Sequence, residues 1–404
     1  MSSVTDPETV LDQPLRPPHH RTVLPVGPPR HIVQPNGTPA WLVTKYHHVR
    51  QVLTDPRFSR AQLYSSDVAQ PGNARSAVND PDAIVNQDGT DHLRLRRIVQ
   101  ETFTPRAVAR WRVWIAPLVD ELLDDLEQAG PPADLIAPYV HALPSDVICR
   151  LMGLEGIIDR EYLARVARYM LADETVPTQK VEQVRAEYSQ LMADVIAERR
   201  ERPGDDLVSD LVRAAERIGG IPEAQLVHLM CSLPTAAADS TASAIGNSLV
   251  YLLGERLDTW PRLGASLQEA ELATERLIHH IPLGDGEFFT RYAVEDVALG
   301  GVTIPGGSTV AIARSSAGRD PEVYRTTPDE PFGDLFSPLE APTLALGAGP
   351  HYCLGAPLVR LLMQLSLHRL AARLPGLRLT GPVEAIEWRL GSTTRSPRRL
   401  EVTW

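Results

Sequence analysis

The stretch LGAGPHYCLGAPLVRLLMQLSLHRLAARL, residues 346–374, decides how the chain is read. Gly347, Gly349 and Gly355 bracket Cys353, giving a backbone that turns tightly and admits something flat close to it. From Ala356 onward the apolar residues recur at helical spacing, and Pro357 is acceptable because it falls in the first turn. The Cys353 sulfur is therefore placed at a helix N-terminus, where free N–H groups and the helix dipole favour thiolate over thiol.

Three chemistries use such a thiolate. Zinc takes three or four ligands, usually in Cys/His pairs, and His351-Tyr352-Cys353 has no second pair beside it. A nucleophilic cysteine needs a histidine base and an orienting group, which the sequence leaves open. A heme needs one axial thiolate over a close-packed glycine-rich loop, and this matches best. The other two cysteines, Cys149 in SDVICRLMG and Cys231 in VHLMCSLP, read as small buried hydrophobes on helices. Three widely spaced cysteines do not make a disulfide framework, so a reducing cytoplasm is expected.

Outward from the loop, the 404 residues, 43% hydrophobic, suffice for a large core. Residues 1–30 form a polar, Pro-rich arm with neither a signal-peptide pattern nor a membrane anchor. No run of about 18 apolar residues predicts a membrane span. A net charge of −11 argues against a nucleic-acid surface. Residues 39–59 read as a strand and a helix ending before Pro56, and 60–90 as a long polar loop. From His92 to Gly254 the periodicity is mainly helical, and residues 287–312 turn to β-type with Gly/Pro corners. An irregular Pro-rich stretch, 320–345, precedes the cysteine loop, and the C-terminus WRLGSTTRSPRRLEVTW reads as a hairpin. There is no repeat and no separating linker. The expectation is a mainly α chain with small β-sheets.

LGAGPHYCLG resembles the cysteine-ligand signature of the cytochrome P450 superfamily, Phe-Gly-x-Gly-x-His-x-Cys-x-Gly, with Leu346 in place of Phe. Other family blocks follow in order over nearly the whole chain. The resemblance implies a single triangular prism-like domain over 1–404 and heme b (iron protoporphyrin IX) ligated by Cys353, with Leu346 and Gly347 packed against it. DHLRLRRIVQETFTPR resembles the family's His-x-x-x-Arg helix, which makes His92 and Arg96 propionate donors; Arg291 and His351 complete that set. TAAADSTASAIGN resembles the oxygen-activating helix, with Ala236 and Ala237 lining a groove, Asp239 as the acid and Ser240 as the alcohol of a proton relay. Pro234 removes the N–H that would bond the Met230 carbonyl, so a kink is expected.

One signature is missing. Where the family has Glu-x-x-Arg and a later meander Arg, this chain has Arg276, His279 and Phe336. Other contacts are expected to replace that triad, since buried ion pairs are replaceable; looser heme binding or a degenerate, inactive homologue are the alternatives. No reductase segment is visible, so electrons are expected from a ferredoxin and ferredoxin reductase, with a docking patch near Arg94 and Arg97. Asp285, Glu287, Phe288 and Arg395 fall at substrate-reading positions and suggest a polar substrate with a peptide backbone or basic group. Fragments 40–59 and 284–301 and the EWR ending resemble the mycobacterial family member that couples the tyrosine rings of a cyclodipeptide. They suggest cross-linking, or another oxidation, of an aromatic cyclodipeptide or short peptide in specialised metabolism. Hydroxylation of a polyketide or terpenoid is the rival reading.

Overall fold

A computed structural model describes residues 17–20, 24–34, 39–64, 80–172, 175–283, 290–325 and 332–404. Its helices are α1 Tyr46–Thr54, α2 Gly89–Val99, α3 Pro105–Ala129, α4 Ala142–Met152, α5 Arg160–Met170, α6 Thr178–Glu201 and α7 Leu207–Ile218. They continue with α8 Glu223–Glu255, α9 Trp260–Ala265, α10 Leu267–His280, the short α11 Arg314–Ala317, and α12 Ala356–Arg373. The strands are β1 Arg30–Val33, β2 Pro39–Val43, β3 Phe58–Ser59, β4 Ala133–Asp134, β5 Arg291–Ala293, β6 Val297–Leu299, β7 Val302–Ile304, β8 Thr309–Ile312, β9 Arg378–Leu379 and β10 Glu401–Thr403. The expected mainly α architecture with small sheets is what forms. None of the described helices is long and apolar enough to cross a membrane.

Local chemistry sets the helix boundaries. The Thr104 side chain accepts from Ala107 N–H at 3.2 Å, Pro105 occupies the first turn, and Gly130 ends α3 with φ 71°. Asp159 and Asp206 cap α5 and α7 by accepting from Tyr162 N–H and Ser209 N–H, each at 2.7 Å. Ser266 caps α10 by accepting from the N–H of Glu269, with the Ser-x-x-Glu spacing of a capping box.

The 33 residues of α8 are buried on almost every side from Ala238 to Leu253, as befits a helix through the middle of the core. It packs against α4, α5, α6 and α12. In turn α12 lies against α3, α9 and α10, with Leu361, Leu362, Leu365 and Leu370 buried. At the α9–α12 crossing a Cβ on Gly264 would come within 2.8 Å of the Ala371 carbonyl carbon, so only glycine allows that approach. The Trp260 indole N–H donates to the Leu374 carbonyl at 3.0 Å and locks the same crossing.

The main sheet runs β1-β2-β8-β5-β3. β2 lies parallel to β8 with Trp41 opposite Val310, and β5 is antiparallel to β8 with Arg291 opposite Val310. That register buries Arg291 and Ala293 and leaves Tyr292 on the other side. The C-terminal hairpin is only partly realised. Trp388 and Pro397 bridge as one antiparallel pair, but the last strand, β10, instead joins β4 and β9.

Candidate active site

The cysteine loop is built by its glycines and closed by backbone bonds. Gly347 and Gly349 hold φ of 77° and 65°, and a Cβ on Gly349 would meet the Leu53 carbonyl oxygen at 3.0 Å. Cys353 N–H donates to the Leu346 carbonyl at 2.8 Å, and Tyr352 N–H to that of Gly349 at 3.0 Å. Gly355 has an ordinary φ of −79° and open space where a Cβ would stand, so nothing in the protein itself requires it to be glycine.

The sulfur accepts from the N–H groups of Gly355 and Ala356 and faces the charges of Arg96 and Arg360. These favour thiolate, as the helix-start placement predicts. Burial nevertheless outweighs them and pushes the Cys353 thiol up. Arg360 braces the loop from behind, forking onto Glu275 at 2.5 and 3.0 Å and donating to the Tyr352 hydroxyl at 2.9 Å.

Beside the sulfur the four expected cofactor-holding residues do converge. His92, buried on α2, stacks on His351 with ring centroids 4.2 Å apart. Arg96, one turn on, is the residue whose charge reaches Cys353. Arg291 is buried on β5, where desolvation and the neighbouring Arg60 push it down to about 9. Burial likewise pushes His92 down to about 4. The set is an electropositive, desolvated pocket, matched to an anionic group.

Two members of this pocket escaped sequence reading. Asp88 precedes α2 and has the look of a helix cap, yet its carboxylate makes no cap bond. It accepts instead from the Ser59 hydroxyl at 2.6 Å and from the N–H groups of Arg60 and Ala61, both at 2.8 Å. His351 Nε2 lies 3.3 Å from its other oxygen. These partners hold Asp88 well below the usual carboxylate range. Arg60, 1% exposed, donates to the Thr290 carbonyl at 3.0 Å and to the Tyr64 hydroxyl at 3.1 Å, tying the residue before Arg291 to the end of β3. A lone Arg after a strand carries no sequence signal for such a role.

On α8, Ala236 is exposed and Ala237 half-buried while Thr235, Ala238 and Asp239 around them are buried, so the helix borders a hollow there. The helix runs unbroken through Pro234. The Ser240 hydroxyl donates to the Ala236 carbonyl at 2.5 Å, on the hollow's side. Asp239 does not join it. Its Oδ1 pairs with Arg389 at 2.5 Å and its Oδ2 accepts from the Thr394 hydroxyl at 2.5 Å, at 3% exposure. The expected acid–alcohol pair is thus split between two hydrogen-bond sets. Arg389 and Thr394 were not singled out in the sequence, because their partner lies about 150 residues away.

At the three positions where the resemblance places the triad, other contacts stand. The Arg276 guanidinium, 2% exposed, donates from Nε to the Ser337 carbonyl at 3.1 Å. Its Nη2 donates to Ser337 Oγ at 2.9 Å and to the Pro338 carbonyl at 2.6 Å. Nη1 sits 3.3 Å from Glu340 Oε2, near enough for Coulombic attraction but without hydrogen-bond alignment. His279 reaches Thr343 Oγ1 at 3.1 Å and the Gly318 carbonyl at 2.8 Å. Phe336 is buried with Arg262 stacked 3.8 Å from its ring centre.

Of the substrate-reading candidates, Asp285, Glu287 and Phe288 lie outside the described residues. Arg395 is buried at 9% exposure, not a surface residue; its N–H donates to the Leu283 carbonyl at 2.7 Å and its carbonyl accepts from Asn247 at 2.9 Å. Cys149 and Cys231 are buried, and burial pushes both thiols up to about 12, in keeping with small core residues.

Residues 274–374 match a family model described as Cytochrome P450. The chain is 38% identical over 371 residues to Nocardicin C N-oxygenase of Nocardia uniformis subsp. tsuyamanensis, covering 92% of this chain and 91% of the relative. It is 36% identical to Mycinamicin IV hydroxylase/epoxidase of Micromonospora griseorubida, covering 93% and 92%. Among solved structures, cytochrome P450mel 107F1 with biaryl coupling reactivity superposes with a TM-score of 0.85 at 34% identity, covering 93% of each chain.

Proposed function

This chain belongs to the cytochrome P450 family, and on that footing we propose that it oxidises an aromatic cyclodipeptide or short peptide, by aryl or phenol coupling, in specialised metabolite biosynthesis. Its relatives are oxygenases and hydroxylases, and the enzyme is a heme-thiolate monooxygenase by family. The donor set fits the group: a sulfur aimed by two N–H groups, a buried cationic pocket beside it, and a hollow along Ala236. In this reading Cys353 would ligate heme b, His92, Arg96, Arg291 and His351 would hold its propionates, and Leu346, Gly347 and Ala236 would line the space it fills.

Bound there, the heme would supply dioxygen activation. The protein's own part is positional. Arg96 and the two backbone N–H groups stabilise the negative sulfur. Ser240, hydrogen-bonded to the Ala236 carbonyl, presents a hydroxyl oxygen at the hollow that can accept and pass on a proton. Asp239 is the acid behind it. A ferredoxin and ferredoxin reductase deliver the electrons in this proposal, and residues near Arg94 and Arg97 are the docking candidates.

The observation that carries the substrate reading is the polar turn near the C-terminus, in which Thr394 and Arg395 are buried and Arg389 is half-buried. A hydrocarbon site would line that position with apolar side chains; buried hydrogen-bonding groups discriminate in favour of a polar ligand. The relative with biaryl coupling reactivity supports coupling, whereas the hydroxylase/epoxidase relative supports oxygen insertion. A carbon-monoxide difference spectrum of the reduced protein, with Cys353→Ala as control, tests the ligation. A thiolate-type band in the wild type that is lost in the variant is expected; its absence from the wild type refutes the reading. Titrating cyclo(L-Tyr-L-Tyr) against the heme spectrum tests the substrate class. Product mass then separates coupling, which removes two hydrogens, from hydroxylation, which adds an oxygen.

A further inference from the structure

The helix α10 does bring an acid to the cysteine loop, one residue before Arg276. Glu275 takes both of its oxygens to Arg360 on α12, accepting from Nε at 2.5 Å and from Nη2 at 3.0 Å. The remaining arm of that guanidinium, Nη1, donates to the hydroxyl of Tyr352 at 2.9 Å. Tyr352 is the chain neighbour of Cys353. The carboxylate thus holds one edge of the guanidinium, and the loop holds its opposite corner.

Arg360 stands apart from the other cations near the sulfur. The two further arginines of α12 turn to acids of α3: Arg369 pairs with Asp120, and Arg373 with Asp124 and Glu127 at 2.6 and 2.8 Å. Arg360 turns instead to α10 and the loop, and among the described residues Glu275 is its one acidic partner. Arg96 is the other cation whose charge reaches Cys353, but it is assigned above to a propionate, where its charge would be met. Arg360 has no such second anion. A forked guanidinium on a planar carboxylate allows little rotation, so the charge is fixed in place as well as present. Partial burial works against it, but the bonds to Glu275 and Tyr352 more than offset this and hold Arg360 above its ordinary value.

We propose that Glu275 and Arg360 are positioning residues that set how readily the heme-thiolate centre is reduced. The guanidinium, fixed behind Cys353 through Tyr352, favours the added negative charge, while the Glu275 carboxylate orients that guanidinium and moderates its field. This rests on the heme-thiolate reading given above. The step is a one-electron reduction of ferric to ferrous heme, by ferredoxin or, in the test, by dithionite; no bond breaks at the sulfur. Cys353 and Arg360 lie about two helical turns apart, on the order of 10 Å. A unit charge at that distance in a half-buried setting shifts an equilibrium by about threefold to tenfold.

The test titrates heme-loaded protein with dithionite and mediator dyes under nitrogen and reads the reduction potential from the ferric and ferrous spectra. Arg360→Met is expected to make reduction about threefold to tenfold less favourable, a tenfold change being ~59 mV for a one-electron couple. Glu275→Gln should make it about threefold more favourable, since only the opposing charge is lost. The double variant should fall between the two singles. Arg360→Lys keeps the charge without the fork and should stay within about twofold of wild type. A purely mechanical brace behaves differently: each variant loosens the same loop and admits water to the sulfur, so the potentials move in one direction and the double variant moves furthest. Shifts of the same sign in the two singles, or none beyond about twofold in either, overturn the proposal. So does an Arg360→Lys shift as large as that of Arg360→Met. If Arg360→Met does not retain heme, the sign for Glu275→Gln decides alone. A wild type without a thiolate-type band when reduced under carbon monoxide brings down the heme-thiolate reading itself, which separates the two failures.

Discussion

Arg276 offers the sharpest test of how the cysteine loop is held. It stands where the resemblance expects an acid, and its guanidinium is buried against Ser337, Pro338 and Glu340. Arg276→Met keeps the stem's packing and deletes three hydrogen bonds. Ser337 Oγ retains the Asp334 carbonyl as a partner, so the real loss falls on two carbonyls. A buried acceptor left unmade costs ~1–3 kcal/mol; with Ser337 half-buried and Pro338 exposed, water recovers part of that and the two together cost about 2–4 kcal/mol. Relief of guanidinium desolvation returns part of this, giving a net loss of about 3 kcal/mol, the low end for breaking a buried pair. With ~2.1 cal/mol/K of unfolding entropy per residue, a 404-residue chain then melts roughly 3–4 °C lower. Arg276→Glu, which restores the family's residue type, should be worse, at about 5 kcal/mol, because it sets a carboxylate against carbonyls and Glu340. Urea unfolding of the heme-loaded protein, followed by circular dichroism and by the fraction keeping its thiolate-type spectrum, measures both. If Arg276→Glu unfolds within ~0.5 kcal/mol of wild type, as an indifferent surface change does, the brace described here is wrong.

Asp88→Asn should cost about 2 kcal/mol by weakening charge-assisted bonds to the Arg60 and Ala61 N–H groups, read as a shift in urea midpoint. Because the folded Asp88 pKa is depressed, its contribution is present above the ordinary carboxylate value and is lost as pH falls below it; the variant's acid limb should be shallower. His279, pushed down to about 4 by burial, stays neutral in the fold while the unfolded chain protonates near 6.5. Its contribution is therefore intact above pH ~6.5 and drains away between about 6.5 and 4, at up to ~1.4 kcal/mol per pH unit. His279→Gln should flatten the urea midpoint against pH by one proton across that window; an unchanged slope would place the titration elsewhere.

What was legible in the sequence follows from how far apart the interacting residues lie. Gly347, Gly349 and Cys353 specify their loop through local φ and backbone bonds to Leu344, Leu346 and Gly349, so a short motif suffices. His92 and Arg96 need only helical spacing to share a face, and His92 stacks on His351 of the loop. Asp88 misleads because a helix-start acid usually caps its own helix, and here the tertiary partners Ser59, Arg60 and Ala61 take the carboxylate. Asp239 and Ser240 are adjacent in sequence, yet a helix turns about 100° per residue, which sends one side chain to Arg389 and the other to the hollow. No pattern within α8 announces which.

What stands at positions 276, 279 and 336 was not legible in the sequence, and the reason is chemical. A carboxylate at position 276 would need cationic side chains on the meander, and Phe336 offers none. An arginine there needs only acceptors, which every peptide unit supplies, and the Ser337 and Pro338 carbonyls lie within its reach. Glu340 adds charge complement without an aligned bond, so it is the least demanding member of the set. Reversing the charge on the helix thus transfers the bracing from side-chain identity to backbone position. Such a brace leaves almost no trace in sequence beyond the arginine itself, and it tolerates change at every meander residue that keeps its carbonyl in place. The same logic explains why His279, in place of the family's arginine, can bind the Gly318 carbonyl and Thr343 as a neutral ring: once Arg276 carries the charge, a second cation there would oppose it.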